Sequence, residues 1–138
     1  MLKRVALVLT VVAASGGCGG SDEEDNGPVV SGEDRAILQT VEQLEHASRQ
    51  GEAGRICGEI FTQTLADSIR KAAKRSCRAE VRETLVSPDA RLSVGRRIEV
   101  KGSRAQATVR EQNGKTSTIF LRKQGGRWQI EGIQPASS

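Results

Sequence analysis

Few side chains in this sequence can do chemistry, and their spacing sorts them. There is one His, His46, and no Tyr; Cys stands at positions 18, 57 and 77. A general base or an activated nucleophile needs a partner within hydrogen-bond reach. The carboxylates that could serve are Glu59, Asp67, Glu99, Glu111 and Glu131. On a helix of about 100° per residue, Glu59 turns away from Ile56 and Ile60, and Asp67 turns away from Leu65 and Ile69. Glu99 and Glu131 alternate with apolar neighbours, which puts them opposite the core. Glu111 borders a hairpin turn. His46 lies about 160° from the stripe of Ile37, Val41, Leu44 and Ser48, so it points to solvent, with Glu42 one turn earlier as its partner. No paired carboxylates emerge, a Ser nucleophile lacks a base, and one His gives no metal site. No catalytic residue, metal or cofactor is expected. The run Gly16-Gly17-Cys18-Gly19-Gly20 opens no helix, so it is no phosphate loop.

A second group is cationic: Arg70, Lys71, Lys74, Arg75, Arg78 and Arg82. As far as Arg75 these share one helix side, opposite Leu65, Ile69, Ala72 and Ala73. Such a face can touch lipid headgroups, a wall polymer or an acidic partner. Charge runs are more often plain solvated surface with a helix-dipole bonus, and that reading comes first.

The front of the chain says where the protein works. Lys3 and Arg4 precede an apolar run over residues 5–14, followed by Ser15-Gly16-Gly17-Cys18. Ten helical residues rise about 15 Å, half of a hydrocarbon core of about 30 Å. A cleaved export signal fits better than a permanent span. The segment resembles the bacterial lipoprotein signal, in which small residues precede a cysteine. Ser15 departs from that pattern, which usually has an aliphatic residue there. The resemblance implies a signal peptide over 1–17 and a diacylglyceryl group on Cys18, anchoring the protein at the extracytoplasmic face of a membrane. Two acyl chains are about what stable anchoring takes. An ordinary secretory signal with an incidental cysteine is the alternative. Residues 18–32 then form a lipidated cysteine and a flexible linker, rich in Gly, Ser and acid, spanning roughly 20 Å on average.

Residues 33–138 suffice for one domain. Without the signal and the linker the chain keeps 19 basic and 13 acidic residues, about +6. With Cys18 as anchor, Cys57 and Cys77 are an even pair in an exported domain. That favours a disulfide over two buried thiols or half a metal site. Export and only three aromatic residues argue against nucleic acid as a partner.

The elements that must position these residues change character at Pro88. Before it, helical periodicity marks a long first helix from Asp34 to a stop at Gly51. A short second helix over 52–61 follows, and then two stripes of different direction. Leu65, Ile69, Ala72 and Ala73 form one stripe; Cys77, Val81 and Leu85 form the other. A break near residues 74–76 is expected, with Thr62 or Thr64 and Ser76 as caps. After it, alternation marks about four strands, with a bend at Gly95 and turns at Gly102-Ser103, Asn113-Gly114 and Gly125-Gly126. Asn-Gly suits a type I′ turn. The fold class is α+β, with N-terminal helices packed on a curved antiparallel sheet. Phe61, Phe120 and Trp128 are core residues or cavity walls.

Helices followed by a curved meander ending in Gly126-Arg127-Trp128-Gln129-Ile130 resemble the nuclear transport factor 2-like (SnoaL-like) superfamily. More narrowly, the chain resembles small actinobacterial lipoproteins carrying that cone-shaped domain. The resemblance spans residues 34–133 and includes Arg55-Ile56-Cys57 and Ser76-Cys77. It implies a scaffold used by isomerases, cyclases, dehydratases and non-enzymatic binding modules, among which the fold does not choose. A ketosteroid-isomerase-type site needs an Asp base and an oxyanion hole with a Tyr, which this chain lacks. The first expectation is a lipid-anchored, non-catalytic binding or accessory domain for a small apolar ligand or an anionic envelope component. A lyase or isomerase using Glu59, Asp67 or Glu131 is the second. An interaction module, dimeric through the open sheet face, is the third.

Overall fold

The computed structural model describes residues 32–136. The expected signal segment, Cys18 and the linker as far as residue 31 lie outside the described residues. Helix α1 is Gly32–Gln50 and buries Ile37, Val41, Leu44 and Ser48, the expected stripe, together with Thr40 and Ala47. Gly51, at φ +73°, ends it; a left-handed residue there suits only glycine without strain.

The expected second helix is two pieces. A short α2, Ala53–Arg55, runs into one π-helical turn, Ile56–Ile60. Ile56, Ile60 and Phe61 are buried, whereas Cys57 is only partly so. Helix α3 is Gln63–Ala73 and α4 is Cys77–Thr84. Thr62 Oγ1 accepts from the Leu65 N–H at 3.2 Å and Ser76 Oγ from the Ala79 N–H at 3.1 Å, so Thr62 and Ser76 are the caps. Between the helices Lys74 adopts φ +56°, making the break between the two stripes. The α3 stripe packs on the edge of the core: Leu65, Ala66 and Ile69 are partly buried against it, and no residue of α3 is fully buried.

Strands β1 (Leu92–Lys101), β2 (Arg104–Glu111), β3 (Thr116–Gln124) and β4 (Arg127–Pro135) form an antiparallel meander in that order. Two irregularities curve it. Val94 pairs with Val109 and Ile98 with Ala107, so β1 carries extra residues beside Gly95. On β4, Phe120 faces Gly132 while Leu121 faces Ile130, which leaves Glu131 as a bulge. The bulge keeps Ile130 and Ile133 on the inner face and sends Glu131 outward.

The turns depart from expectation in one place. Gly125 and Gly126 both have positive φ, the type I′ pattern. At Asn113-Gly114 only Gly114 does, at +86°. The Gly114 N–H donates to the Glu111 carbonyl at 3.0 Å and the Glu111 N–H to the Lys115 carbonyl at 2.8 Å. This is a three-residue loop with a left-handed glycine, not a type I′ turn.

The core lies between the inner sheet face and the helices. Ile37, Val41, Ile56, Phe61, Val81, Leu121, Trp128 and Ile130 meet there. Phe61-Thr62 also covers the free edge of β4, where the Thr62 N–H donates to the Ile130 carbonyl at 2.9 Å. Phe120 is not core; it lines a separate hollow of about 230 Å³ with Glu99, Gln106 and Glu131. It lies half-buried on the outer face, packed on Gly132.

Candidate functional site

The helices do not close one end of this sheet. The C-terminal half of α1, the connection over 85–92 and the turn between β2 and β3 enclose a cleft of about 360 Å³. Its walls are aliphatic: Leu44, Leu85, Leu92, Val109, Ile119 and Ile133. Its rim is polar, with Ser87, Asp89, Arg91, Glu111, Asn113 and Ser117. Two contacts hold the rim to α1. Glu45 Oε2 accepts from the Leu92 N–H at 2.7 Å while pairing with Arg49 at 3.1 Å. The Ser87 N–H donates to the Ser48 carbonyl at 3.2 Å. The volume is within the usual range for small-molecule sites, as is the pattern of apolar wall and few polar groups.

No family model matches the chain, and no curated protein does. Among solved structures it is similar to an NTF2-like protein of unknown function from Shewanella baltica OS155. The match has a TM-score of 0.54 at 19% identity and covers 82% of this chain and 100% of that one. The fold is nuclear transport factor 2-like. At that identity the likeness concerns architecture alone, so chemistry must be read from this nuclear transport factor 2-like domain itself.

The carboxylates considered for catalysis do not meet in the cleft. Glu59 pairs with Arg55 at 3.4 Å and Asp67 with Arg70 at 3.8 Å, each on its own helical segment. Glu131 pairs with Arg122 at 2.9 Å, and Glu99 accepts from Gln106 at 2.9 Å. Only Glu111 reaches the cleft, as an exposed rim residue. His46 is exposed beside Glu42, with no hydrogen bond between them among the described residues. No three His, Cys, Asp or Glu side chains among the described residues converge to hold a metal. No helix among them is long and apolar enough to cross a membrane.

The cationic cluster is divided. Arg70 and Lys71 lie on α3, Lys74 and Arg75 in the break, Arg78 and Arg82 on α4. Arg75 is engaged by Glu80 at 2.6 Å and by Glu83. These carboxylates, Glu80 foremost, push its pKa further up. The Arg78 guanidinium lies over Gly54, where a Cβ would come within 2.7 Å of Nη2. Lys71, Lys74 and Arg82 remain exposed. Cys57 and Cys77 are joined, with Cα atoms 6.1 Å apart. The bond ties the π turn to the first residue of α4.

The opposite end of the domain is closed. Glu33, in the first turn of α1, accepts from Lys123 Nζ at 2.6 Å and from the Trp128 indole N–H at 2.6 Å. Lys123 also sits 6.0 Å from the Trp128 ring centroid. The bonds from Lys123 and then Trp128 hold the Glu33 carboxyl below its usual pKa. A lowered carboxylate pKa means these contacts stabilise the fold above the unfolded-state value and fade as pH falls through the folded one. Trp128 is the chain's single Trp. Its fluorescence should therefore titrate with a midpoint below the ordinary Glu value, and Glu33→Gln should remove that transition. A midpoint at or above the ordinary value would show that the clamp does not form.

Sequence reasoning found the strands and α1 but not the cleft. Its rim residues Ser87, Asp89 and Arg91 read only as the end of the helical half. The one available signal was three polar side chains flanked by Leu85 and Leu92.

Proposed function

We propose that this protein is a membrane-tethered, extracytoplasmic, non-catalytic binding domain that holds a small apolar or amphipathic molecule in the cleft. The observation that carries the reading is the cleft: aliphatic walls under a polar rim, while Glu59, Asp67 and Glu131 pair with arginines elsewhere. An isomerase would need a carboxylate facing a second polar group inside the cavity. Asp89 and Glu111 stand outside, on the rim. The proposed tether is a lipidated Cys18 left after the export signal over 1–17 is removed, and that signal supports placement outside the cytoplasm.

Native mass spectrometry of protein taken from its own membrane tests the reading. The expected result is a retained small molecule, lost when Leu92→Trp fills the cleft. A bare protein that also takes up no added amphiphile would overturn it.

A further inference from the structure

A second hollow, of about 490 Å³, runs beneath α3 and α4. It is lined by the α3 stripe, Leu65, Ile69, Ala72 and Ala73, with Glu80, Val81 and Thr84 from α4; the Glu80 carboxylate is taken up by Arg75. Leu85 and Ile133 line this hollow and also the cleft. Only those two side chains are shared, so they stand as a partition between adjoining spaces. This explains why the apolar stripe of α3 is only partly buried.

Resting on the binding reading above, we propose that the two hollows form one bent site for a single-chain zwitterionic amphiphile. Its tail starts in the cleft and passes the Leu85–Ile133 partition into the space under α3. Three observations select this occupant. No aromatic side chain lines either hollow, so nothing is present to stack on a planar ring, and the walls suit an aliphatic chain. The two hollows meet only at Leu85 and Ile133, so an occupant that reaches both must bend past those side chains, as a flexible chain can. The cleft mouth carries both signs of charge, Asp89, Arg91 and Glu111. None of the three has an ion-pair partner among the described residues. An ammonium meets Asp89 and Glu111, and a phosphate meets Arg91.

The test uses the full-length chain with Cys18→Ser and alkylphosphocholines of eight to sixteen carbons below their micelle concentrations, followed by calorimetry. Affinity should rise up to about fourfold per added methylene, with the gain continuing past the length that fills the cleft. Ile69→Trp and Ala73→Phe, both in the inner hollow and outside the cleft, should each leave the octyl compound within about twofold and erase the gain for longer tails. Both lie on a helix without fully buried residues, so either variant tests the idea if the other misfolds. At equal tail length the phosphocholine should bind tighter than an alkyl sulfate or an alkyltrimethylammonium. A plateau in wild type at the shortest tails, or long-tail binding indifferent to Ala73→Phe, would overturn the two-chamber site and leave the cleft reading standing. An alkyl sulfate binding as tightly as the phosphocholine would overturn the headgroup assignment. Absence of binding by every amphiphile would overturn the cleft reading with it, as would a tail-dependent gain that only reflects dimerisation in sedimentation.

Discussion

Replacing Cys57 and Cys77 together with Ser should lower the unfolding free energy by about 3 kcal/mol, because the link closes a separation of 20 residues. For a domain of this size that is on the order of 10 °C or more in melting temperature. The effect should not be spread evenly. The closed loop contains all of α3, and α3 buries no residue of its own. It is held by its cap, by the Thr62–Ile130 backbone bond and by the disulfide that returns the chain to α4. Without the disulfide, α3 should be the first element to open. Hydrogen exchange should then quicken over residues 63–73 well before the strands respond. A double variant melting within about 2 °C of wild type, with α3 protection unchanged, would show that the loop is held by something else.

The second large effect concerns the tether. Cys18→Ser should move the protein from the membrane fraction to the soluble one. Two acyl chains hold a protein stably, and the same domain without them has only its surface charge. The described residues offer no helix that could take over as a span. Fractionation with a carbonate wash reads the outcome. Retention of the Ser variant after that wash would mean that residues 1–17 are not removed or that another attachment exists. The domain itself should keep its fold, because the Glu33 clamp on Lys123 and Trp128 is the last described contact before the linker.

That clamp also gives the domain a direction. Glu33 and the cleft stand at opposite ends of α1, since Ser48, beside the cleft, lies about 22 Å further along the same helix. An anchor at Cys18, as proposed, would attach at the Glu33 end, and a ligand would then enter from the other end.

What could be read from residues alone was local. The α1 stripe, the caps at Thr62 and Ser76 and the break at Lys74 all follow from contacts within a few residues. The strand alternation is equally local. Taking Phe120 as core would require the outer sheet face to be covered, and there it only lines a hollow beside Glu99, Gln106 and Glu131. The π turn over 56–60 has no such local signature, because its extra residue is accommodated by packing against α1 and α4. The Asn113-Gly114 loop gained one residue through register rather than through the dipeptide's own preference. The cleft was beyond reach for a different reason. Leu44, Leu85, Val109 and Ile133 come from four separate elements or connections. Their convergence is set by where the helices stop covering the sheet.

The cleft, and not the basic surface, is the proposed ligand site. Amide chemical-shift mapping of the full-length Cys18→Ser chain with dodecylphosphocholine below its micelle concentration distinguishes the two. Saturable shifts are expected at Leu44, Leu92, Val109, Ile119 and Ile133, continuing to Ala72 and Ala73. Shifts confined to Arg70, Lys71, Lys74 and Arg82, or to the outer face around Phe120, would contradict it.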